Sequence, residues 1–210
     1  MAAHILPRLG DEERRQPLLG AVAGLADGAW RRAFAAQIAP HDHDIIVALG
    51  CGDGADLVLL AAGAPRARFI CIDPDPAALA RAAARADEAG VEAHFARGLA
   101  RDVAHLTAAW APTKIVANFV LHAAPLHEQA LILRGAHEAL RADGALHIAD
   151  YGVQKSALMR RLFRLVQGLD PHASNALPRL MREAGFRAVD ESRAFATLGG
   201  AVTLYSARAS

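Results

Sequence analysis

The stretch IIVALGCGDGAD, residues 45–56, joins a short apolar run to three glycines within five residues. An apolar run without polar alternation is what a parallel strand buried on both faces requires. Gly50, Gly52 and Gly54 permit positive φ and let a ligand approach the backbone. Their place, behind a buried strand and ahead of a helix, is where open α/β sheets bind ligands. Such a loop seats a dinucleotide or a nucleoside cofactor, or is only a tight turn. The loop alone does not decide among these.

Outward from it, strands and helices alternate. Ala55–Ala62 reads as a helix closed by Gly63 and Pro65, and Arg68–Ile72 (RFICI) as a strand. Pro76–Ala89 is an Ala-rich helix with Asp75 as its N-cap and Pro76 in the first turn, where a missing N–H costs nothing. Val91–Ala96 and Lys114–Phe119 read as strands, Ala100–Ala109 and Leu126–Ala142 as helices, and Gly144–Ala149 as a fifth strand. The tail adds helices over Ser156–Leu169 and Asn175–Ala184. Two strands follow, Phe186–Phe195 and Ala201–Ala207, with a hairpin joint near Gly199 and Gly200. The expected fold class is α/β: a doubly wound, mostly parallel, seven-stranded sheet with an antiparallel edge strand. Residues 11–39 read as helix, with Leu18, Val22, Trp30 and Phe34 at helical steps, and Pro40 ends it. Residues 1–43 are therefore an N-terminal helical segment, and 44–210 the main domain. Trp30 and Phe34 share one helix face, which suits core packing or a lid over a substrate pocket.

Composition narrows the partners. The 210 residues are 53% hydrophobic, enough for one sizeable core. With 23 basic and 22 acidic residues the net charge is +1, so no basic excess signals nucleic acid. Cys51 and Cys71 are expected as free thiols. No run approaches a membrane span, and a cytoplasmic location is expected. His41-Asp42-His43-Asp44 invites a metal reading, but an extended link would point the four side chains apart and no further ligand set follows, so no metal is expected. At 5% aromatic residues, the sequence shows no aromatic cage.

Asp73 ends the second strand, 19 residues beyond Gly54. A carboxylate there can accept hydrogen bonds from two ribose hydroxyls, so strand, loop, helix, strand and acid together specify a ribose-bearing cofactor. NAD stays open, because Gly50, Gly52 and Ala55 satisfy G-x-G-x-x-[GA]. Tyr151 and Lys155 also have the spacing of a short-chain dehydrogenase pair. That pair sits inside a helix, however, whereas Gly152 and Val153 suit a strand-to-loop exit.

Four motifs then stand in order: VALGCGDG (47–54), CIDPDPAAL (71–79), ANFVLHAAP (117–125) and LRADGALHIADYG (140–152). Their order and spacing resemble Rossmann-like S-adenosylmethionine-dependent methyltransferases, most closely the small-molecule branch of ubiquinone/menaquinone-type enzymes. LPRLMREAGF (177–186) and AVTLYSARA (201–209) are similar to that family's last helix and antiparallel strand. The resemblance implies methyl transfer from S-adenosylmethionine to a small-molecule acceptor. Gly50, Cys51, Gly52 and Gly54 would cradle the methionine and ribose, Asp73 would hold the ribose hydroxyls, and Pro74 would lie against adenine. Asn118 and Phe119 would border the methyl group. His122, then Tyr151, would be the candidate base for an acceptor that must lose a proton.

Two positions depart from the family pattern. Ala48 stands where an Asp or Glu is common, and Leu99 where an acid often accepts from the adenine amino group. Losing one charge-assisted hydrogen bond costs ~1.5–3 kcal/mol, a ten- to hundredfold weakening. Asp53 is the candidate to compensate at the methionine ammonium. The alternatives are a non-catalytic or repurposed member of the fold and an NAD(P) oxidoreductase. The acceptor, and whether the chain forms a homodimer, stay open.

Overall fold

In a computed structural model, residues 28–152, 176–197 and 200–210 are described. The elements run α1 (Gly28–Ile38), β1 (Ile45–Leu49), α2 (Ala55–Gly63), β2 (Arg68–Asp73), α3 (Pro76–Glu88) and β3 (Ala93–Arg97). A 3-10 turn (Ala100–Asp102) leads into α4 (Val103–Leu106), then β4 (Lys114–Asn118), α5 (Leu126–Ala139), β5 (Ala145–Tyr151), α6 (Leu177–Glu183), β6 (Arg187–Thr197) and β7 (Gly200–Arg208). The first part of the expected 11–39 helix, the expected helix at 156–169 and the hairpin joint before Gly200 lie outside the described residues.

One seven-stranded sheet has the order β3-β2-β1-β4-β5-β7-β6. The first five strands pair in parallel, while β7 runs antiparallel to both β5 and β6. The antiparallel strand thus stands one place in from the edge, which β6 forms. Strand order reverses between β1 and β4, the switch point where such sheets open a crevice at their carboxyl ends.

Alternation along each strand divides the core between two faces. Val47, Leu49, Ile70, Ile72, Ile115 and Ile148 pack on one side with Leu133 and Ala136 of α5 and Met181 of α6. Ile46, Phe69, Cys71 and Val116 pack on the other with Trp30, Phe34 and Ile38 of α1 and Leu57 and Leu60 of α2. Both faces are covered, which is why β1 and β2 read as continuous apolar runs.

Several boundaries moved for local reasons. β3 starts at Ala93 rather than Val91, because the Val91 N–H bonds Ala86 O at 2.8 Å and closes α3 through Gly90 at φ 66°. α5 stops at Ala139, where Leu140 turns extended, and the Arg141 N–H is drawn to Pro112 O at 3.0 Å. Asp75 caps α3 through Ala77 N at 2.8 Å, as expected. The 41–44 link is a turn and not extended, so the His41 and His43 rings stack with centroids 5.6 Å apart instead of diverging.

At the amino ends of β1 and β4 lies a buried polar lock. Asp44 accepts from Thr113 Oγ1 at 2.7 Å, from the His41 N–H at 2.7 Å and from Lys114 Nζ at 2.5 Å. Burial pushes the Asp44 carboxyl up, but the hydrogen bonds from Lys114, Thr113 and His41 outweigh it and hold it below the usual range. Lys114 also donates to Ala39 O at 2.8 Å, tying the end of α1 to the sheet.

Candidate cofactor and active site

The carboxyl ends of the same strands are built differently. Gly50, Gly52 and Gly54 all take positive φ, at 61°, 55° and 79°. Each has its own reason. A Cβ on Gly54 would lie 2.9 Å from the Ala82 backbone, so this glycine lets α3 approach the loop. A Cβ on Gly52 would meet nothing within 4 Å: the loop presents bare backbone to open space, as a ligand cradle does.

Asp73, only 8% exposed, shapes that cradle. Its Oδ2 accepts from Gly52 N at 3.0 Å and its Oδ1 from Asp75 N at 2.9 Å. A carboxylate has about four lone-pair sites, so accepting capacity remains for ribose hydroxyls. Pro74 follows, its carbonyl accepting from Arg97 Nε at 3.3 Å. Leu99 is 43% exposed at the head of the 3-10 turn, near the strand end where Gly98 N bonds Asp73 O at 3.2 Å. This edge carries exposed apolar surface in place of a carboxylate. Cys51 and Cys71 are free thiols in contact: hydrogen bonding to Cys51, then burial, holds the Cys71 thiol above the usual range.

Asp53 does not line the cavity that holds Ala48. It bonds Ala55 N at 3.2 Å and pairs with Arg85 at 2.8 Å on the half-exposed outer side of the loop. The carboxylate that shares a cavity with Ala48 is Asp56, in the first turn of α2. Asp56 accepts from Asn118 Nδ2 through one oxygen and pairs with Arg31 of α1 through the other. Arg31, Ala48, Gly50, Cys51, Asp56 and Asn118 line the polar side of one partly open, otherwise apolar cavity of about 30 Å³. Asn118 Oδ1 is buried and meets no hydrogen-bond donor among the described residues. An orphaned acceptor and a carboxylate on one cavity fit a cofactor that ends in an ammonium group.

Beyond Asn118 the chain turns sharply. Phe119 has φ 54°, a left-handed conformation that costs a bulky residue roughly 1–2 kcal/mol. Its ring packs against Tyr151 at 4.8 Å, Trp30 at 5.4 Å and His122 at 5.9 Å, and His122 stands edge-on to Tyr151 at 5.0 Å. The aromatic-poor composition had suggested no cage, and here the structure corrects the sequence. The rings of Trp30, Phe119, His122 and Tyr151 converge from α1, the β4 exit and the end of β5. Trp30 is 1% exposed and Phe34 4%, so both are core residues, and Trp30 also borders the cluster.

Behind His122 stands Asp150, buried at the end of β5. Its Oδ2 accepts from the Leu121 and His122 N–H groups at 2.9 and 3.1 Å, and its Oδ1 from Tyr151 N at 2.7 Å. His122 Nδ1 lies 2.9 Å from Asp150 Oδ1, an ion-pair distance, though off the direction of a hydrogen bond. Asp150 would stabilise a protonated imidazole, and Nε2 is the nitrogen turned away from it. Tyr151 is the last residue of a strand, so the dehydrogenase reading of Tyr151 and Lys155, which needs a helix, loses its support.

Sequence reasoning missed Asp56, Arg31 and Asp150. Asp150 had a signal: an acid ending the otherwise apolar run ALHIAD is costly unless partnered. Among the described residues no group of three His, Cys, Asp or Glu side chains could hold a metal. Nor is any described helix long and apolar enough to cross a membrane.

Comparison with known proteins agrees with this geometry. Residues 46–144 match the family described as a methyltransferase domain. No curated protein matches the chain in sequence. The S-adenosylmethionine-dependent methyltransferase SibL, in its apo form, is similar in structure at TM-score 0.71 and 19% identity, over 96% of this chain and 59% of that one. An O-methyltransferase family protein from Burkholderia thailandensis gives 0.72 and 18%, over 95% and 60%. Geranyl diphosphate methyltransferase, solved with GPP and sinefungin, gives 0.70 and 12%, over 87% and 77%. The chain thus spans about three fifths of the length of the first two. Its sheet order and antiparallel β7 are those of the class I, Rossmann-like methyltransferase fold, and the match to a methyltransferase domain spans just under half of the chain.

Proposed function

We propose that this protein transfers a methyl group from S-adenosylmethionine to a small aromatic molecule bearing an ionisable hydroxyl. One observation carries the reading: His122, backed by buried Asp150, opens onto the Phe119–Tyr151–Trp30 cluster next to the glycine cradle. The sequence resemblance to ubiquinone/menaquinone-type enzymes supports an aromatic acceptor.

The cofactor supplies an electrophilic methyl on sulfur. Gly50, Gly52, Gly54 and Asp73 would hold it, with Pro74 and Leu99 against adenine. Displacement at methyl needs alignment and exclusion of water more than functional-group chemistry, and the ring cluster provides both for a flat acceptor. Phe119 and Tyr151 would fix the acceptor plane, and His122 Nε2 would take the hydroxyl proton as the oxygen becomes nucleophilic. The Asp150 carboxylate would hold the resulting positive imidazole. Base catalysis of this kind contributes typically 10²–10⁴-fold.

Incubation of the full chain with methyl-labelled S-adenosylmethionine and a panel of phenols and hydroxyquinones tests this. Label should pass to at least one acceptor, and His122→Ala should lower kcat by about 10²-fold or more with cofactor affinity unchanged. A wild-type chain that binds S-adenosylhomocysteine yet labels no acceptor would favour a non-catalytic member of the fold.

A further inference from the structure

The position two residues before the first glycine, where the fold commonly carries an acid, is Ala48. The cavity that Ala48 lines nevertheless has a carboxylate, that of Asp56 in the first turn of α2. It is held by Arg31 on one oxygen and by the Asn118 amide on the other. The Nδ2 contact fixes the Asn118 amide, so that its Oδ1 is the atom left buried without a donor among the described residues.

Resting on the cofactor reading above, we infer that Arg31, Asp56 and Asn118 form the clamp for the amino-acid end of S-adenosylmethionine, with Asp56 replacing the acid missing at Ala48. The charges balance. A zwitterion entering between Arg31 and Asp56 exchanges one ion pair for two: its ammonium meets Asp56, its carboxylate meets Arg31. No buried charge is left alone. The ammonium's three N–H donors also satisfy Asn118 Oδ1, the acceptor that the described residues leave unpartnered. A cavity of about 30 Å³ holds roughly one water, so ligand entry requires Arg31 to swing off Asp56. Because Arg31 sits on α1, the clamp also couples the N-terminal helix to the cofactor loop.

The test is calorimetric, on the full chain, with two probes: S-adenosylhomocysteine, which carries the amino-acid end, and 5′-methylthioadenosine, the same nucleoside without it. Asp56→Asn keeps the side-chain shape and removes the charge. It should weaken S-adenosylhomocysteine ten- to hundredfold and leave methylthioadenosine within about twofold. Ala48→Asp added to Asp56→Asn should recover at least part of the loss. Equal losses for both probes would make Asp56 a scaffold residue, and no loss for either would make it a bystander; each overturns the clamp. A wild-type chain that binds methylthioadenosine but gains nothing from the amino-acid end would also overturn the clamp, with the nucleoside site intact. Binding of neither probe to wild type would remove the cofactor reading itself.

Discussion

Strands β1 and β4 lie side by side, and their two ends are opposites. At the amino ends, the strand termini are tied by a polar network: Asp44 takes bonds from Thr113, His41 and Lys114, and Thr113 in turn accepts from Ile45 N at 3.1 Å. At the carboxyl ends, three glycines and Phe119 sit at positive φ, and Asn118 keeps a buried oxygen without a donor among the described residues. The same two strands therefore end once in a closed lock and once in a strained, under-satisfied crevice. Unsatisfied polar groups and left-handed residues cost stability, and they persist where a ligand can repay them. The amino end should respond to mutation in stability, and the carboxyl end in binding.

The largest expected effect lies in the lock. Lys114→Met leaves Asp44 buried without its cation, which should cost about 3–5 kcal/mol. Denaturant unfolding would show it, with S-adenosylhomocysteine affinity in the folded protein unchanged. A similar loss of affinity would break the contrast between the two ends.

Next comes acid. His147 on β5 is buried near the lock, and neither ring nitrogen has a partner among the described residues. Burial first, then the charges of Lys114 and Arg208, push its pKa down from 6.5 to about 4. The folded state thus refuses a proton that the unfolded state accepts. Its stabilising contribution is present above pH 6.5 and is lost as pH falls toward 4, by up to roughly 3 kcal/mol. Asp44, with its lowered pKa, adds a loss only below the ordinary carboxylate range. Unfolding midpoints across pH 7 to 4 should fall steeply for wild type and less so for His147→Leu. Parallel curves would show that His147 is not the sensor.

At the crevice the expected balance reverses. Gly52→Ala puts a Cβ at φ 55° with open space beside it, costing about 1–2 kcal/mol of stability. Affinity for S-adenosylhomocysteine should drop at least tenfold, because the Cβ occupies ligand space. Smallest of all is Asp53→Ala. Its pair with Arg85 is half exposed, and such pairs contribute ~0–1 kcal/mol. Affinity should shift less than twofold; a tenfold loss would return the ammonium to Asp53 and away from Asp56.

The frame was legible because it rests on local signals. IIVAL is apolar enough to demand a doubly covered strand, and its observed span agrees with the reading to the residue. Asp75 ahead of Pro76 announces a helix start, and the glycines mark the ligand edge. Val91 misled because its β-branched side chain suggests a strand while its N–H is taken by the α3 terminus. Non-local partners were not readable. Arg31 reaches Asp56 across 25 positions, and Asn118 reaches it across 62. Asp53 was the carboxylate nearest in sequence to the glycines, whereas the helical turn carries Asp56 into the cavity and leaves Asp53 outside. Likewise the rings of Trp30, Phe119 and Tyr151 meet only once β4 and β5 pair and α1 packs across them.

A crystal structure of the full chain with S-adenosylhomocysteine tests the central claim most directly. The account predicts the ribose hydroxyls on Asp73, the ammonium on Asp56 and Asn118 Oδ1, the carboxylate on Arg31, and the sulfur facing the Phe119–His122–Tyr151 cluster. A ligand whose amino-acid end points away from Asn118, with Arg31 still closed on Asp56, would contradict it.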